Sequence, residues 1–284
     1  MRPKGLIRLL LTGCLLLLLS GCTFGATVDA LLTPPHLRGE QEQIYQALEN
    51  AVGNRITLQY PRSGDHLSAV MISDLDGDGQ DEAAVFYRKE SSLSTENALR
   101  LNLLDQADGT WMSVCDLPAE GAEVDRGFTA DIGGRQRLII GYSQVDQSDK
   151  ALVVYNYEGG TLAKSFTVSY SSFDVADLDG DDQSELLILK AAEGEHAAEA
   201  AVYVPDAQDH YTRYSLTLQG KTTEYSQVLC GNTQGKQTAI YLDGIVGATT
   251  MQTEVLQFDG KKLSYLVPTG SDAVSTIRPI GWLT

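Results

Sequence analysis

The sequence is poor in the residues and motifs from which well-known catalytic sites are built. Its 284 residues contain no Gly-x-Ser-x-Gly elbow, no His-Glu-x-x-His helix and no glycine-rich phosphate loop. The usual signatures of nucleophilic, zinc and phosphoryl chemistry are therefore missing. The four histidines, His36, His66, His196 and His210, stand in polar loops or at strand edges with no shared spacing, and each reads as a solvated side chain. Cysteine is equally scarce, at four residues, and none belongs to a thiol redox or thiolate metal pattern. Positive charge is short: 21 Lys and Arg face 38 Asp and Glu, a formal charge of −17. A surface of that sign repels nucleic acid and anionic lipid headgroups, so neither is an expected partner, whereas it suits divalent cations. With no visible catalytic constellation, the chain is expected not to be an enzyme.

What is present begins at the N-terminus. Arg2, Lys4 and Arg8 precede an almost wholly apolar run from Leu9 to Leu19. This run is shorter than the roughly 20 residues a membrane-spanning helix needs. A basic start, a short apolar stretch and small residues before a cut describe a secretory signal peptide over residues 1–21. The ending Leu19-Ser20-Gly21-Cys22 resembles the lipobox of bacterial lipoproteins. That resemblance implies acyl chains such as palmitate on Cys22, which becomes the new N-terminus. The mature chain would then hang from the extracytoplasmic face of a bacterial cell membrane. Cleavage removes three positive charges and no acid, so −17 becomes −20 over residues 22–284.

Residues 22–35 read as a tether. Beyond Pro34-Pro35, Leu37, Ile44, Ala47, Leu48 and Val52 recur at helical spacing, and Gly53-Asn54 is a natural stop, so one amphipathic helix is expected over 36–53. Cys14 leaves with the signal peptide and Cys22 takes the lipid. Cys115 and Cys230 remain, each in strand-like sequence, and read as buried free thiols in preference to a disulfide.

From residue 54 onward short strands alternate with turn residues. Four hairpin signals, Asp108-Gly109, Gly159-Gly160, Asp206-Ala-Gln-Asp209 and Asp259-Gly260, recur about 50 residues apart. Ahead of each lies a strand that is apolar on both faces: Ala83–Tyr87, Leu138–Ile140, Leu186–Leu189 and Ala239–Leu242. About four strands in each repeat is the signature of a propeller blade, and a continuously apolar strand is one buried between layers. The expected fold is all-β, a β-propeller-like array of about four four-stranded blades after one short helix. The blades are placed at roughly 60–118, 125–168, 172–218 and 224–267, with a final strand at 274–284. So few blades fit either a piece of a longer propeller or an assembly in which the last strand joins Ile56–Tyr60.

Two of the repeats carry an acidic loop. The first reads Asp74-Leu-Asp76-Gly-Asp78-Gly79-Gln80-Asp81-Glu82 and the second Asp177-Leu-Asp179-Gly-Asp181-Asp182-Gln183-Ser184-Glu185. Acids at positions 1, 3, 5 and 9 converge in a tight loop, and position 7 adds a carbonyl oxygen, a donor set that suits Ca²⁺. The expected ligands are Asp74, Asp76, Asp78, Gln80 and Glu82 at one site and Asp177, Asp179, Asp181, Gln183 and Glu185 at a weaker second one. An EF-hand fails on spacing, because its bidentate glutamate at position 12 would fall on Val85 or Ile188 inside an apolar strand. The second loop is weaker because Asp182 stands where glycine best takes a left-handed turn.

Asp-Leu-Asp-Gly-Asp-Gly-Gln-Asp-Glu before an apolar strand resembles the FG-GAP/VCBS repeats, which form Ca²⁺-binding blades in integrin-type propellers. The resemblance spans roughly residues 60–270 as a repeat. Its motif is full in blade one, partial in blade three and missing from Asp131–Arg137 and Gly231–Lys236. With lipobox and helix included, the chain is similar to VCBS-repeat lipoproteins of Gram-positive bacteria, a family that implies no reaction. Two functions remain in view: a membrane-anchored binding or scaffold lipoprotein with Ca²⁺-stabilised blades and a protein or glycan ligand, or a carbohydrate-active enzyme of the cell envelope on a propeller scaffold. Tyr142, Tyr170 and Tyr225 could stack on a sugar ring, although core or rim packing is the simpler assignment.

Overall fold

A computed structural model describes residues 39–89, 99–144, 150–232, 238–247 and 250–266. Cys22, the signal peptide, the tether, His36 and the final strand at 274–284 lie outside the described residues. The helix, α1, runs Glu40–Val52, and residues 36–38 of the expected span lie outside the described residues. Gly39, at φ +61°, stands in a left-handed turn immediately before it. At the other end Gly53 has φ +96° and donates its N–H to the Glu49 carbonyl at 2.8 Å, the single-bond left-handed cap for which glycine is suited.

All strand pairings are antiparallel. In the first sheet β1 (Ile56–Leu58) and β2 (Val70–Ser73) share one edge of β3 (Glu82–Lys89), which is followed outward by β4 (Leu99–Ala107) and β5 (Thr110–Pro118). The second sheet is β6 (Glu123–Asp131), β7 (Gln136–Ser143), β8 (Lys150–Glu158) and β9 (Thr161–Tyr170). The third is β10 (Ser172–Ala176), β11 (Glu185–Lys190), β12 (Glu199–Pro205) and β13 (Tyr211–Thr217). The fourth is β14 (Thr222–Asn232), β15 (Thr238–Val246), β16 (Thr250–Phe258) and β17 (Leu263–Tyr265). This is the propeller-like array of four blades. Ile56–Leu58 pairs with Tyr87–Lys89, completing the inner edge of blade one from within that blade.

The blades stack in chain order, and the second strand of each explains why. In β7, Leu138, Ile140 and Tyr142 face the cluster shared with Ala84 and Phe86 of blade one. Ile139 faces the cluster shared with Phe173, Leu186 and Ile188 of blade three. In β11 the alternate residues Leu187 and Leu189 pack with Ile240 and Leu242 of blade four. A strand sandwiched this way is apolar on both faces, which is why these strands lack polar alternation. The far face of blade one, through Ala83, Val85 and Tyr87, is covered by Ile44 and Leu48 of α1. Each of those two helix residues, fully buried, contributes about 1.5–3 kcal/mol. At the hairpin tips, Asp108-Gly109 (φ +54° and +72°) and Gly159-Gly160 (φ +58° and +76°) have the two positive φ values that suit a tight turn between twisted strands.

Candidate functional site

The acidic loops sit between β2 and β3 of blade one and between β10 and β11 of blade three. In the first, Asp74 closes the turn by accepting from the N–H groups of Gly77 (2.7 Å) and Gly79 (3.0 Å). Asp76 accepts from the Asp78 N–H (3.2 Å), and Asp78 from the Gln80 N–H (2.8 Å). Buried Glu82 opens β3 and accepts from the Leu75 N–H at 2.7 Å. The second loop repeats the pattern: Gly180 and Asp182 donate to Asp177 (2.7 and 3.1 Å), Asp181 to Asp179 (3.2 Å), Gln183 to Asp181 (2.8 Å) and Leu178 to Glu185 (2.8 Å). Leu75 and Leu178, at position 2, are buried and pin each loop to the core. Asp182 has φ +68°, the left-handed conformation that Gly79 adopts at +88°.

One carboxylate oxygen from each of Asp74, Asp76 and Asp78 lies within 4.8 Å of the others. In the second loop the corresponding triple is Asp177, Asp179 and Glu185. The structure thus gathers three acids in each loop, with Glu82 outside the first triple and Asp181 outside the second. Gln80 turns its side-chain amide onto Asp78 at 3.3 Å. The donor set is all hard oxygen, as Ca²⁺ requires. A further observation concerns Glu82, whose side chain is 1% exposed: its Oε1 is buried and has no hydrogen-bond partner. An unpaired carboxylate oxygen is costly to bury, and a cation would satisfy it. Burial, with added repulsion from Asp76, Asp105 and Asp74, pushes the Glu82 carboxyl up to about 7 against the pull of the Leu75 N–H. Burial and repulsion from Asp179, Asp181 and Asp177 lift Glu185 to about 7 as well.

The equivalent corner of blade two is closed differently. Ile132 is buried there like the two leucines, and the chain turns through Gly133 and Gly134. Arg137, 1% exposed, donates to the Ile132 carbonyl (2.8 Å), to Asn156 Oδ1 (2.6 Å) and to Asp209 Oδ1 of blade three (2.5 Å). Sequence reading passed over this buried arginine because nothing in an isolated Arg-Gln-Arg distinguishes an inward guanidinium from a solvated one.

Among the described residues, three cavities bear on ligand binding. An outer one of about 450 Å³ is walled by Ser169, Tyr170, Lys190, Glu193, His196 and Glu199. An inner one of about 320 Å³ shares Tyr170 and Ser171 with it and adds Asp125, Arg126, Lys150 and Tyr225. The third, about 290 Å³, lies beside Asp76 with Arg135 and Tyr157. His66, His196 and His210 are exposed as expected. Tyr142 and Tyr170 are buried and Tyr225 is half-buried. Cys115 and Cys230 are free and half-buried rather than fully so. Burial, followed by the Asp174 carboxylate, pushes the Cys230 thiol well up, which makes it a poor nucleophile.

The sequence matches no protein-family model and no curated protein. Among solved structures it is similar to the exotype rhamnogalacturonan lyase YesX, with TM-score 0.38 and 16% identity over 75% of this chain and 48% of that one. Rhamnogalacturonan lyase YesW gives TM-score 0.36 and 16% identity over 76% and 49%. A Bacillus licheniformis rhamnogalacturonan lyase gives 0.26 and 12% over 76% and 59%. The chain spans about half the length of the first two. These neighbours are enzymes, so the expectation that the chain is not an enzyme is withdrawn. The absence of a familiar motif did not justify it, because carbohydrate chemistry needs only spatially paired acids that leave no sequence signature. At these scores the likeness assigns no reaction.

Proposed function

We propose that this chain is a calcium-stabilised, propeller-like lipoprotein that engages carbohydrate of the cell envelope, held by Cys22 at the extracytoplasmic face of a bacterial membrane. The observation that carries the calcium part is the twice-built loop of three converging carboxylates, with the unpartnered Glu82 Oε1 beside the first. When bound, the ion neutralises carboxylates that otherwise repel one another. Asp74, Asp76 and Asp78 would hold it in blade one, and Asp177, Asp179 and Glu185 in blade three. The residues of each loop are already oriented by their own N–H groups, so little ordering remains to oppose binding. The FG-GAP/VCBS resemblance points the same way.

The carbohydrate part rests on the outer and inner cavities, which share Tyr170 and Ser171. Their walls combine aromatic rings, hydroxyls and charged hydrogen-bonding groups, the mixture that recognises sugars. The rhamnogalacturonan lyases named above belong to the same substrate class and add no weight at their scores. A catalytic version of the reading is favoured by Glu193, which lines the outer cavity near His196 and is a carboxylate not committed to either loop. Calorimetric titration with Ca²⁺, followed by glycan-array capture of the soluble domain, tests the reading. Binding of calcium and of an envelope glycan supports it; a chain that takes up neither overturns it. Glu193→Gln would abolish turnover while leaving capture intact if the site is catalytic.

A further inference from the structure

The inner cavity differs from its two neighbours in charge. The outer wall carries Lys190 against Glu193 and Glu199, and the third cavity carries Arg135 against Asp76 and Glu158. The inner wall carries Arg126 and Lys150 against Asp125 alone. On a chain of formal charge −17, a wall that sets two cations beside one acid stands apart from these two neighbours.

The cations are fixed in place and incompletely used. Asp125, 8% exposed, accepts from the Lys150 ammonium at 2.9 and 3.0 Å and from the Tyr170 hydroxyl at 2.7 Å. Tyr170 is thereby held as a neutral donor, its hydroxyl pushed far up by burial and by Asp125. The Asp125 carboxylate is thus occupied, while one N–H of Lys150 remains for a ligand. Arg126 lies over the rings of Phe128 and Phe173, 5.1 and 5.2 Å from their centroids, and donates to the Phe173 carbonyl at 3.0 Å. Asp174 stands at 3.7 Å, an ion pair without a hydrogen bond. A guanidinium has five donors in a planar fork, and with one on the Phe173 carbonyl this one keeps others for a planar oxyanion. Gly64 closes over it: a Cβ there would stand 2.8 Å from Arg126 Cγ, so the bare glycine is what allows the loop to cover the arginine. Ser171, Ser172, Ser226, Gln227 and Tyr225 complete the wall with hydroxyl and amide groups and a ring.

From this geometry we infer that the inner cavity is a subsite for the carboxylate of an acidic sugar, gripped by Arg126 and Lys150, with its hydroxyls met by the serines and Gln227. The inference rests on the carbohydrate reading above and names its ligand class. A sulfated or phosphorylated sugar presents a tetrahedral anion, for which the planar fork is a less complete match.

Binding of uronic-acid tetrasaccharides, their methyl esters and neutral tetrasaccharides of the same length, measured calorimetrically on the calcium-loaded soluble domain, decides it. The acid should bind about tenfold or more tightly than its ester, and that preference should vanish in Arg126→Gln and fall in Lys150→Gln. Lys150 is about a third exposed and Asp125 keeps the Tyr170 hydroxyl when the ammonium is lost, so Lys150→Gln is the milder variant and keeps the test open if Arg126→Gln is unstable. Equal binding of acid, ester and neutral sugar would overturn the inference and leave the carbohydrate reading intact. Failure of all three to bind would overturn both.

Discussion

The loops of blades one and three are one design built twice, and blade two shows the alternative to it. In the first and third blades the corner after the inner strand is made of acids that repel one another. In the second it is held by a guanidinium that is part of the chain. The hydrogen-bond lengths of the two acidic loops agree to within about 0.1 Å position by position, yet their contexts differ. The first loop has glycine at its left-handed position, Asp81 at position 8 and an unpartnered Glu82 oxygen. The second has Asp182 there, and its Ser184 bridges to Ile132 of blade two. Its Asp179 lies under Gly260, where an added Cβ would stand 2.7 Å from the carboxylate. Similar local geometry therefore does not imply equal dependence on an ion: the corner with the buried arginine should need none, and the first loop most.

The largest effect is expected at the arginine corner. Asp209→Ala leaves Arg137 buried without its anion and should cost about 3 kcal/mol, with or without calcium. Chemical denaturation in calcium and in EDTA checks this, and a cost that changed with calcium would join the corner to the loops. The same pair fixes a pH dependence. Burial alone would raise Asp209, but Arg137, Asn156 and Arg135 bring it below its ordinary 3.8. A depressed folded value means that stability is present above about pH 4 and is lost as pH falls through the folded value. The gap between wild type and Asp209→Ala should therefore be constant at neutral pH and shrink only below about pH 4.

Calcium itself comes next. With Kd on the order of 10⁻⁴ to 10⁻³ M, millimolar ion should contribute about 1 kcal/mol per loop, or a few degrees in melting temperature. A wild-type melt indifferent to EDTA would reduce both loops to acidic turns. Smaller still is the difference between them: Asp76→Ala should erase more of the calcium shift than Asp179→Ala. The smallest effect is that of Asp182→Gly, which relieves a left-handed side chain and should raise stability by no more than about 1 kcal/mol, partly offset by glycine's own entropy. Its value lies in the calcium titration, where it should bring the second loop toward the first.

Much of this architecture is legible in the order of residues. The buried strands announce themselves by having no polar face, because β7 and β11 are covered by a blade on either side and β3 by a blade and the helix. Asp182 stands out because only its neighbours in the motif show that a glycine belongs there. Other parts have no local signal. Arg137 meets Asp209 across 72 residues, and Asp125 meets Tyr170 across 45, so neither partnership is written in either segment alone.

The stacking order has a consequence for how the chain becomes a protein. Every layer from α1 onward rests on the layer made just before it, so the surface that supports each blade belongs to sequence that precedes it. A chain delivered N-terminus first could settle one blade at a time, each finding its supporting surface already in place. A lesion in blade one, such as loss of Leu101 from its core, should then delay everything after it. The matching lesion in blade four, at Leu256, should leave three blades and the helix able to form. Pulse-proteolysis of the two variants during refolding would show whether assembly has a direction.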